Sequence, residues 1–576
     1  MKMAFSSQSC FPIHPSCRFR VALMLLFTYL PTVFSKTVTY NWDVSWVNAS
    51  PDGFSRPVIG INGLWPCPPI SVTIGDRVVI NLRNNLGNET TSLHFHGLFQ
   101  TGSNTMDGPA GVTQCPVPPG EKFTYDFVVN QPGTYWYHSH NKAQYIDGFR
   151  GAFIVHDPSA PFKYDEEVVL TVSDWYHDQA PGLINYFQSP QNVIDHDGAE
   201  PIPNSALMQD AQNSKINVKP GKTYLFRVSN IGSFVGSYLS FEGHEMTIVE
   251  VDGVYTEPQK TNQIYLTSAQ RYSVLITTKT SMERNFAIQS TLDTDMFDTI
   301  PSWAQPDVNG YLVYNSKKPL PVVPPLRDLK PFDDMKLEPK DRQRVLGRVD
   351  HQIIMVMDFI TDSGVNRAVI NNHSYVPQKV PTLYTALSAR KQATNPLIYG
   401  VNSNSYVLRH NEVVEIVLIN HDDGHHPWHL HGHNFQIIDR SPADTEYNPS
   451  TVVPYSKTPV RRDVVQVHSS GYVVIRFRAD NPGIQLFHCH IEWHVEAGLV
   501  ATFIEAPEKL QNSLTIPHQH QKICERQGIP TKGNAAGNMK NYTDLTGANT
   551  EFEKNNWGAL ITPPKRILKK AYDFKS

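Results

Sequence analysis

The sequence predicts an all-β chain built from three β-sandwich domains, and three observations carry the prediction. Its 576 residues are too many for one hydrophobic core, since single cores stop growing near roughly 250–300 residues. Pro (43) outnumbers Gly (34) and long helical periodicity is scarce, which favours many strands joined by turns. The same strand pattern also recurs three times along the chain.

The recurring strand is seen at Gly75-Asp-Arg-Val-Val-Ile-Asn-Leu-Arg-Asn84, at Gly221-Lys-Thr-Tyr-Leu-Phe-Arg-Val-Ser-Asn230 and at Asn411-Glu-Val-Val-Glu-Ile-Val-Leu-Ile-Asn420. Each copy has a turn residue, then apolar residues at alternate positions, then Asn. Period two over this length marks a half-buried strand. A second strand follows each copy, at Lys122–Val129, Arg271–Ile276 and Tyr472–Phe477. The predicted domains are 36–157, 158–325 and 345–530. The linker 326–344 lies in the Pro- and charge-rich stretch from Pro319 onward, and 531–576 forms a polar, basic tail.

The N-terminus reads as a secretory signal. Arg18 and Arg20 precede the apolar run Val21–Leu30, and Val33 and Ser35 are small enough to precede a cleavage site after Ser35. Residues 1–35 are therefore expected to be removed. No second long apolar run follows, and Lys565–Lys570 is too short and charged to span a membrane. The mature chain is expected to be exported, soluble and monomeric, secreted or held loosely at the cell surface. Sequons at Asn48, Asn88, Asn372 and Asn541 agree with export and glycosylation. A formal net charge of −4 leaves no basic field for nucleic acid. Cys10 and Cys17 fall in the leader, leaving Cys67, Cys115, Cys489 and Cys524, too few for a disulfide framework.

The first and third copies share more than strands. His94-Phe-His96-Gly97 matches His429-Leu-His431-Gly432 at an offset of 335, and His138-Ser-His140 matches His488-Cys489-His490 at an offset of 350. The middle copy has only scattered histidines, so the outer domains are expected to carry the chemistry and the middle one to space them. On a strand, residues i and i+2 face the same way, so each pair presents two imidazoles together. Eight histidines from four strands suit a cluster of more than one metal ion. Cys489, between two of them, must face away and serve a different ion. With His426 and His494 it makes a trigonal His₂Cys set that suits blue copper, and Leu499, ten residues on, takes the axial place without a donor atom. Zinc is the alternative metal, but a cysteine wedged between two cluster histidines is poorly suited to a closed tetrahedral zinc site.

These four motifs resemble those of the multicopper oxidases, over nearly the whole mature chain. The resemblance implies three cupredoxin-like domains and four copper ions. Type 1 copper falls to His426, Cys489 and His494, and type 2 to His94 and His429. The type 3 pair falls to His96, His138, His140, His431, His488 and His490. It also implies one-electron oxidation of a donor at type 1 copper, with O₂ reduced to water at the other three. Asp107 and Glu492 match family positions that handle protons near the cluster. Cys115 and Cys524 match a laccase disulfide, with Cys67 left as a buried thiol or a competitor for that pairing.

Within the family the chain is most similar to the fungal iron-transport ferroxidases, on Gly198–Pro203, Asp293–Pro301 and Asn420–Pro427. That similarity implies an Fe(II) site formed by Glu200, Asp298 and Asp422, with Tyr375 nearby. It pairs Glu200 with His494 and Asp422 with His426. From the residues themselves, Asp293, Asp295 and Asp298 are interchangeable candidates. Carboxylates are hard donors that suit iron. A laccase-like diphenol oxidase is the alternative, and a copper-binding or iron-uptake scaffold without turnover is a third. Fungal cell-surface ferroxidases carry a C-terminal membrane helix beside an iron permease, and its absence here puts a permease partnership in doubt.

Overall fold

The computed structural model describes residues 35–552. The expected signal segment, apart from Ser35, and the basic stretch Lys565–Lys570 lie outside them. Among the described residues thirty strands dominate, with a few short helices and turns between them. The strands form six sheets that pair up along the chain. Two four-stranded sheets lie between Thr37 and His156. A six- and a five-stranded sheet lie between Glu166 and Val313, and a second such pair lies between His351 and Glu505. The fold is all-β, with three cupredoxin-like sandwiches. No helix among the described residues is long and apolar enough to cross a membrane.

The three copies of the repeat occupy the same place in each sandwich. Arg77–Asn84, Thr223–Asn230 and Val413–Asn420 each pair parallel with the first strand of their unit and antiparallel with the second repeated strand. The terminal Asn has a structural cause. Asn84 donates its amide to the carbonyls of Glu89 and Val117 and accepts from Leu86 N–H. Asn230 donates to Val235 and Leu266 and accepts from Gly232. Asn420 donates to Gly424 and His468 and accepts from Asp422. In all three units the side chain replaces the backbone partners that the strand loses as it turns a corner. In the third unit the same corner sets the start of the loop carrying Asp422.

Cross-links tie the first stretch to the third. Asn104 acts as a strand neighbour, donating to Ile484 O at 3.1 Å and accepting from Ile484 N–H at 2.9 Å. Cys115 and Cys524 form a disulfide across 409 residues of sequence. Cys67 is a buried free thiol directed at the carbonyls of Ile59 and Gly148, so it does not compete for that pairing. In the Cys115→Ala/Cys524→Ala variant, loss of a closure this long is expected to destabilise the protein by about 2–4 kcal/mol. Thermal unfolding checks this, and an unchanged Tm would show that the noncovalent contacts suffice.

Candidate metal centre

Two groups of metal-ligating side chains form around one buried strand, Gly483–Cys489. It is flanked by His426–Leu430 on one side and Val500–Glu505 on the other. Trp428 lies opposite Cys489 and His429 opposite His488. Because side chains alternate, Cys489 and His488 leave the strand on opposite faces.

On one face the Cys489 Sγ lies 3.7 Å from His426 Nδ1 and 3.4 Å from His494 Nδ1, and the two imidazole nitrogens are 3.1 Å apart. His494 is carried by the short helix Glu492–Ala497. Burial alone would raise the Cys489 thiol, but the neighbouring His494 and His426 outweigh it and bring it down to about 7. Leu499 is fully buried beside this triad. Its carbonyl accepts Cys489 N–H and its own N–H donates to His494 O, so it offers only hydrocarbon there. Phe359 packs its ring against both histidines, at centroid distances of 6.0 and 4.9 Å.

On the other face the strand pair His94–His96 and Gly133–His138 brings its histidines against those of the third sandwich. His94 stacks on His431 at 4.1 Å and His96 on His429 at 3.8 Å. His140 lies 5.4 Å from both His431 and His488, and His490 lies 4.9 Å from His96 and 5.5 Å from His138. The second ring nitrogens explain how these rings are aimed. The Nδ1–H groups of His94, His138, His429 and His488 donate to the carbonyls of Asp107, Ser139, Asp463 and Cys489, and that of His431 donates to the Asp107 carboxylate. A carbonyl only accepts, so the proton sits on Nδ1 and each Nε2 keeps a lone pair turned into the cluster.

Those lone pairs decide what the cluster is for. His94 Nε2, His138 Nε2, His140 Nε2 and His429 Nε2, with both ring nitrogens of His96 and His490, are buried with no hydrogen-bond partner. An unpaired buried polar group costs about 1–3 kcal/mol, and a chain that keeps so many together is built to receive metal ions. Burial and mutual repulsion hold His96, His138, His140, His429 and His488 far below the ordinary histidine range, with His431 near 4 and His490 near 3. The imidazoles are therefore neutral and ready to bind metal.

Comparison with known proteins agrees with this geometry. Family models described as multicopper oxidase match residues 43–160, 166–317 and 375–509. The chain belongs to the multicopper oxidase family. A Gibberella zeae protein named "Iron transport multicopper oxidase FET3" is 52% identical over 536 residues, covering 91% of this chain and 85% of that one. A Saccharomyces cerevisiae protein of the same name is 44% identical, over 92% and 85%. The crystal structure described as "Fet3p, a Multicopper Oxidase that Functions in Iron Import" superposes with a TM-score of 0.87 at 43% identity, over 90% of this chain and 100% of that one. A laccase from Botrytis aclada gives 0.73 at 29% identity, over 85% and 91%. The metal of this multicopper oxidase is copper, which the cysteine and imidazole donors suit.

The carboxylates expected from the sequence gather at the outer edge of the triad. Glu200 Oε1 accepts from His494 Nε2–H at 2.7 Å, and Asp422 Oδ2 from His426 Nε2–H at 2.9 Å. Asp298 is exposed, and its carboxyl is pushed up to about 6 by partial burial and by Glu200, Asp423, Asp422 and Asp197. Asp293 is buried and accepts from the Tyr265 hydroxyl, and Asp295 points to solvent, which leaves Asp298 as the residue facing the other two.

Tyr375 makes no hydrogen bond to Glu200, Asp298 or Asp422 among the described residues. The chain turns at Asn371–Ser374 after the strand Val365–Ile370, and Tyr375 is buried with its N–H on Gly498 O. It lines a 560 Å³ cavity that reaches His140, His488 and Glu492. In the same segment the Asn366 amide donates to Gly198 O, two residues before Glu200. Glu492, next to the cavity, is raised to about 8 by burial. Phe359 and Asp463 were missed by the sequence reading. A sequence-level sign of Asp463 is the charged triplet Arg461-Arg462-Asp463 inside an apolar stretch.

Replacing Cys489 by Ser is expected to remove copper from the triad alone. Copper per chain should drop by one ion and the Cys-to-copper visible absorption should vanish, while the histidine cluster stays loaded. Metal analysis with visible spectroscopy checks both.

Proposed function

We propose that this chain is a multicopper ferroxidase with four coppers. His426, Cys489 and His494 hold the type 1 ion and His94 and His429 the type 2 ion. His96, His138, His140, His431, His488 and His490 hold the type 3 pair. Copper bound there would supply one-electron oxidation of Fe(II) and the four-electron, four-proton reduction of O₂ to two waters. The observation that carries the iron reading is the direct bonding of Glu200 and Asp422 to the outward nitrogens of His494 and His426, at 2.7 and 2.9 Å. The names of the iron-transport relatives support it.

The same two carboxylates serve iron and copper ligand alike. Their free oxygens, with Asp298, offer hard donors that stabilise Fe(III) over Fe(II) by charge, which makes the bound ion a better reductant. Their hydrogen bonds fix the rings that face Cys489. Cys489 is joined through the main chain to His488 and His490, so three consecutive residues link the two ligand sets. Asp107 anchors His431 and His94 between the sandwiches. Glu492, protonated at neutral pH, is a proton store beside the cavity. The disulfide fits an exported protein.

Oxygen uptake with Fe(II) and with a diphenol tests the reading. Glu200→Gln/Asp422→Asn, which keeps an acceptor for each histidine N–H but removes the charge, should lower kcat/KM for Fe(II) by about 10- to 100-fold and leave diphenol oxidation within a few-fold. Equal loss of both activities, or a wild-type preference for the diphenol, would replace it with the laccase reading. A pH dependence follows from Asp298. Its carboxyl titrates near 6 and is a poor iron donor once protonated, so KM for Fe(II) should rise as pH falls through that value. Asp298→Asn should flatten this KM profile, as Fe(II) titrations at several pH values would reveal.

A further inference from the structure

The middle sandwich gives the histidine cluster no ligand, but its Arg271 forms a buried charge pair with Asp463 of the third sandwich, beside that cluster. Arg271, on Arg271–Thr277, grips Asp463 with both arms of its guanidinium, each at 2.6 Å. Both residues are almost completely buried. The Asp463 carbonyl accepts His429 Nδ1–H at 2.9 Å, and its Oδ1 lies 3.4 Å from His96 Nε2 and 3.7 Å from His429 Nδ1. One residue thus addresses a histidine from each outer sandwich.

His96 is where this matters most. His94, His138, His429, His431 and His488 each have Nδ1 held by an oxygen, but His96 has no hydrogen bond within the usual limit on either nitrogen. Asp463 is the acid it faces, through Nε2. The residue after His96 records the same constraint. A Cβ on Gly97 would lie 2.5 Å from Arg271 Nη2 and 2.9 Å from Asp463 Oδ2, at φ +90°. In the matching His431-Gly432 pair, that space is filled by the neutral Gln485. The ion pair is therefore special to the His96 side rather than a demand of the repeated motif.

Arg271 is itself locked. Its Nε donates to Thr134 O and its Nη1 to Ala269 O, while its backbone N–H donates to Asp252. Asp252 is bound by Arg462, which reaches Asp334, and Asp334 meets Arg440. Cation and anion alternate along the row. A buried ion pair is weak support for stability, since apolar residues of the same size do as well. Its fixed direction is what apolar residues cannot supply.

We infer that Asp463, clamped by Arg271, is a positioning residue that sets the metal-facing atoms of His96 and His429, so that the middle sandwich controls the geometry of the cluster. The inference rests on the copper reading of the eight histidines. Copper-loaded wild type, Asp463→Asn, Arg271→Gln, Arg271→Lys and Arg462→Gln are compared by copper per chain, type 1 visible absorption and the type 2 electron paramagnetic resonance signal. Asp463→Asn and Arg271→Gln should keep the type 1 absorption, weaken cluster copper affinity about 10- to 100-fold and alter the type 2 signal. Arg271→Lys, which keeps charge but not the fork, should fall between them and the wild type. Arg462→Gln, one step farther along the row, should lower thermal stability without moving either signal. Full cluster copper with an unchanged type 2 signal in both Asp463→Asn and Arg271→Gln overturns the inference. So does joint loss of type 1 and cluster copper in both, the mark of a folding defect alone. A wild-type enzyme that binds copper only at the triad would instead overturn the copper reading itself.

Discussion

The pleat of one strand governs this molecule. His488 and Cys489 are neighbours on Gly483–Cys489, so their side chains must leave on opposite faces. Two metal sites built on them stand back to back, a fixed and short covalent distance apart. The strand is interior to its sheet, and its neighbour His426–Leu430 supplies ligands to both faces. His426 goes with Cys489, while His429 and His431 go with His488. The other histidines of the cluster come from elsewhere in the chain.

They come from the first sandwich, and that creates a second constraint. A cluster shared between two units is only as well defined as their contact. The chain fixes it redundantly, with Asn104 bonded twice to Ile484, Asp107 shared by His94 and His431, and the Cys115–Cys524 bridge. The unpaired imidazole nitrogens work against this order until metal satisfies them. Metal affinity and the stability of the sandwich contact are therefore linked quantities, because ions that bind only the folded state stabilise it by mass action.

Much of this was legible in the sequence because the information was local. Period-two strands, the paired histidines at constant offset and the cysteine between two of them all depend on residues a few positions apart. The terminal Asn of each repeat was visible as a pattern, and the structure supplied its reason, the same three hydrogen bonds at each corner. Glu200, Asp298 and Asp422 were legible through resemblance. What failed was long-range or directional. Tyr375 was placed near the acids by resemblance alone, and after the turn at Asn371–Ser374 it lines the cavity by His140. Arg271 and Asp463 are 192 positions apart, and no periodicity joins them. The middle sandwich was expected to space the outer two and to give Glu200 and Asp298 to the substrate site, and what went unforeseen was Arg271.

The two sites also differ in which ring nitrogen faces inward. In the triad, Nδ1 of His426 and His494 points toward Cys489 and Nε2 points out to Asp422 and Glu200, carboxylates at the edge of the protein. In the cluster the orientation is reversed for His94, His138, His429, His431 and His488, whose Nδ1 protons end on backbone carbonyls or on the buried Asp107. A ligand whose second nitrogen reaches a partly exposed carboxylate is coupled to whatever binds there. A ligand whose second nitrogen is tied to internal backbone is insulated from it. The choice of tautomer thus gives the molecule a direction. The triad is open to an external donor, the cluster is closed to it, and the shared strand is the short path between them.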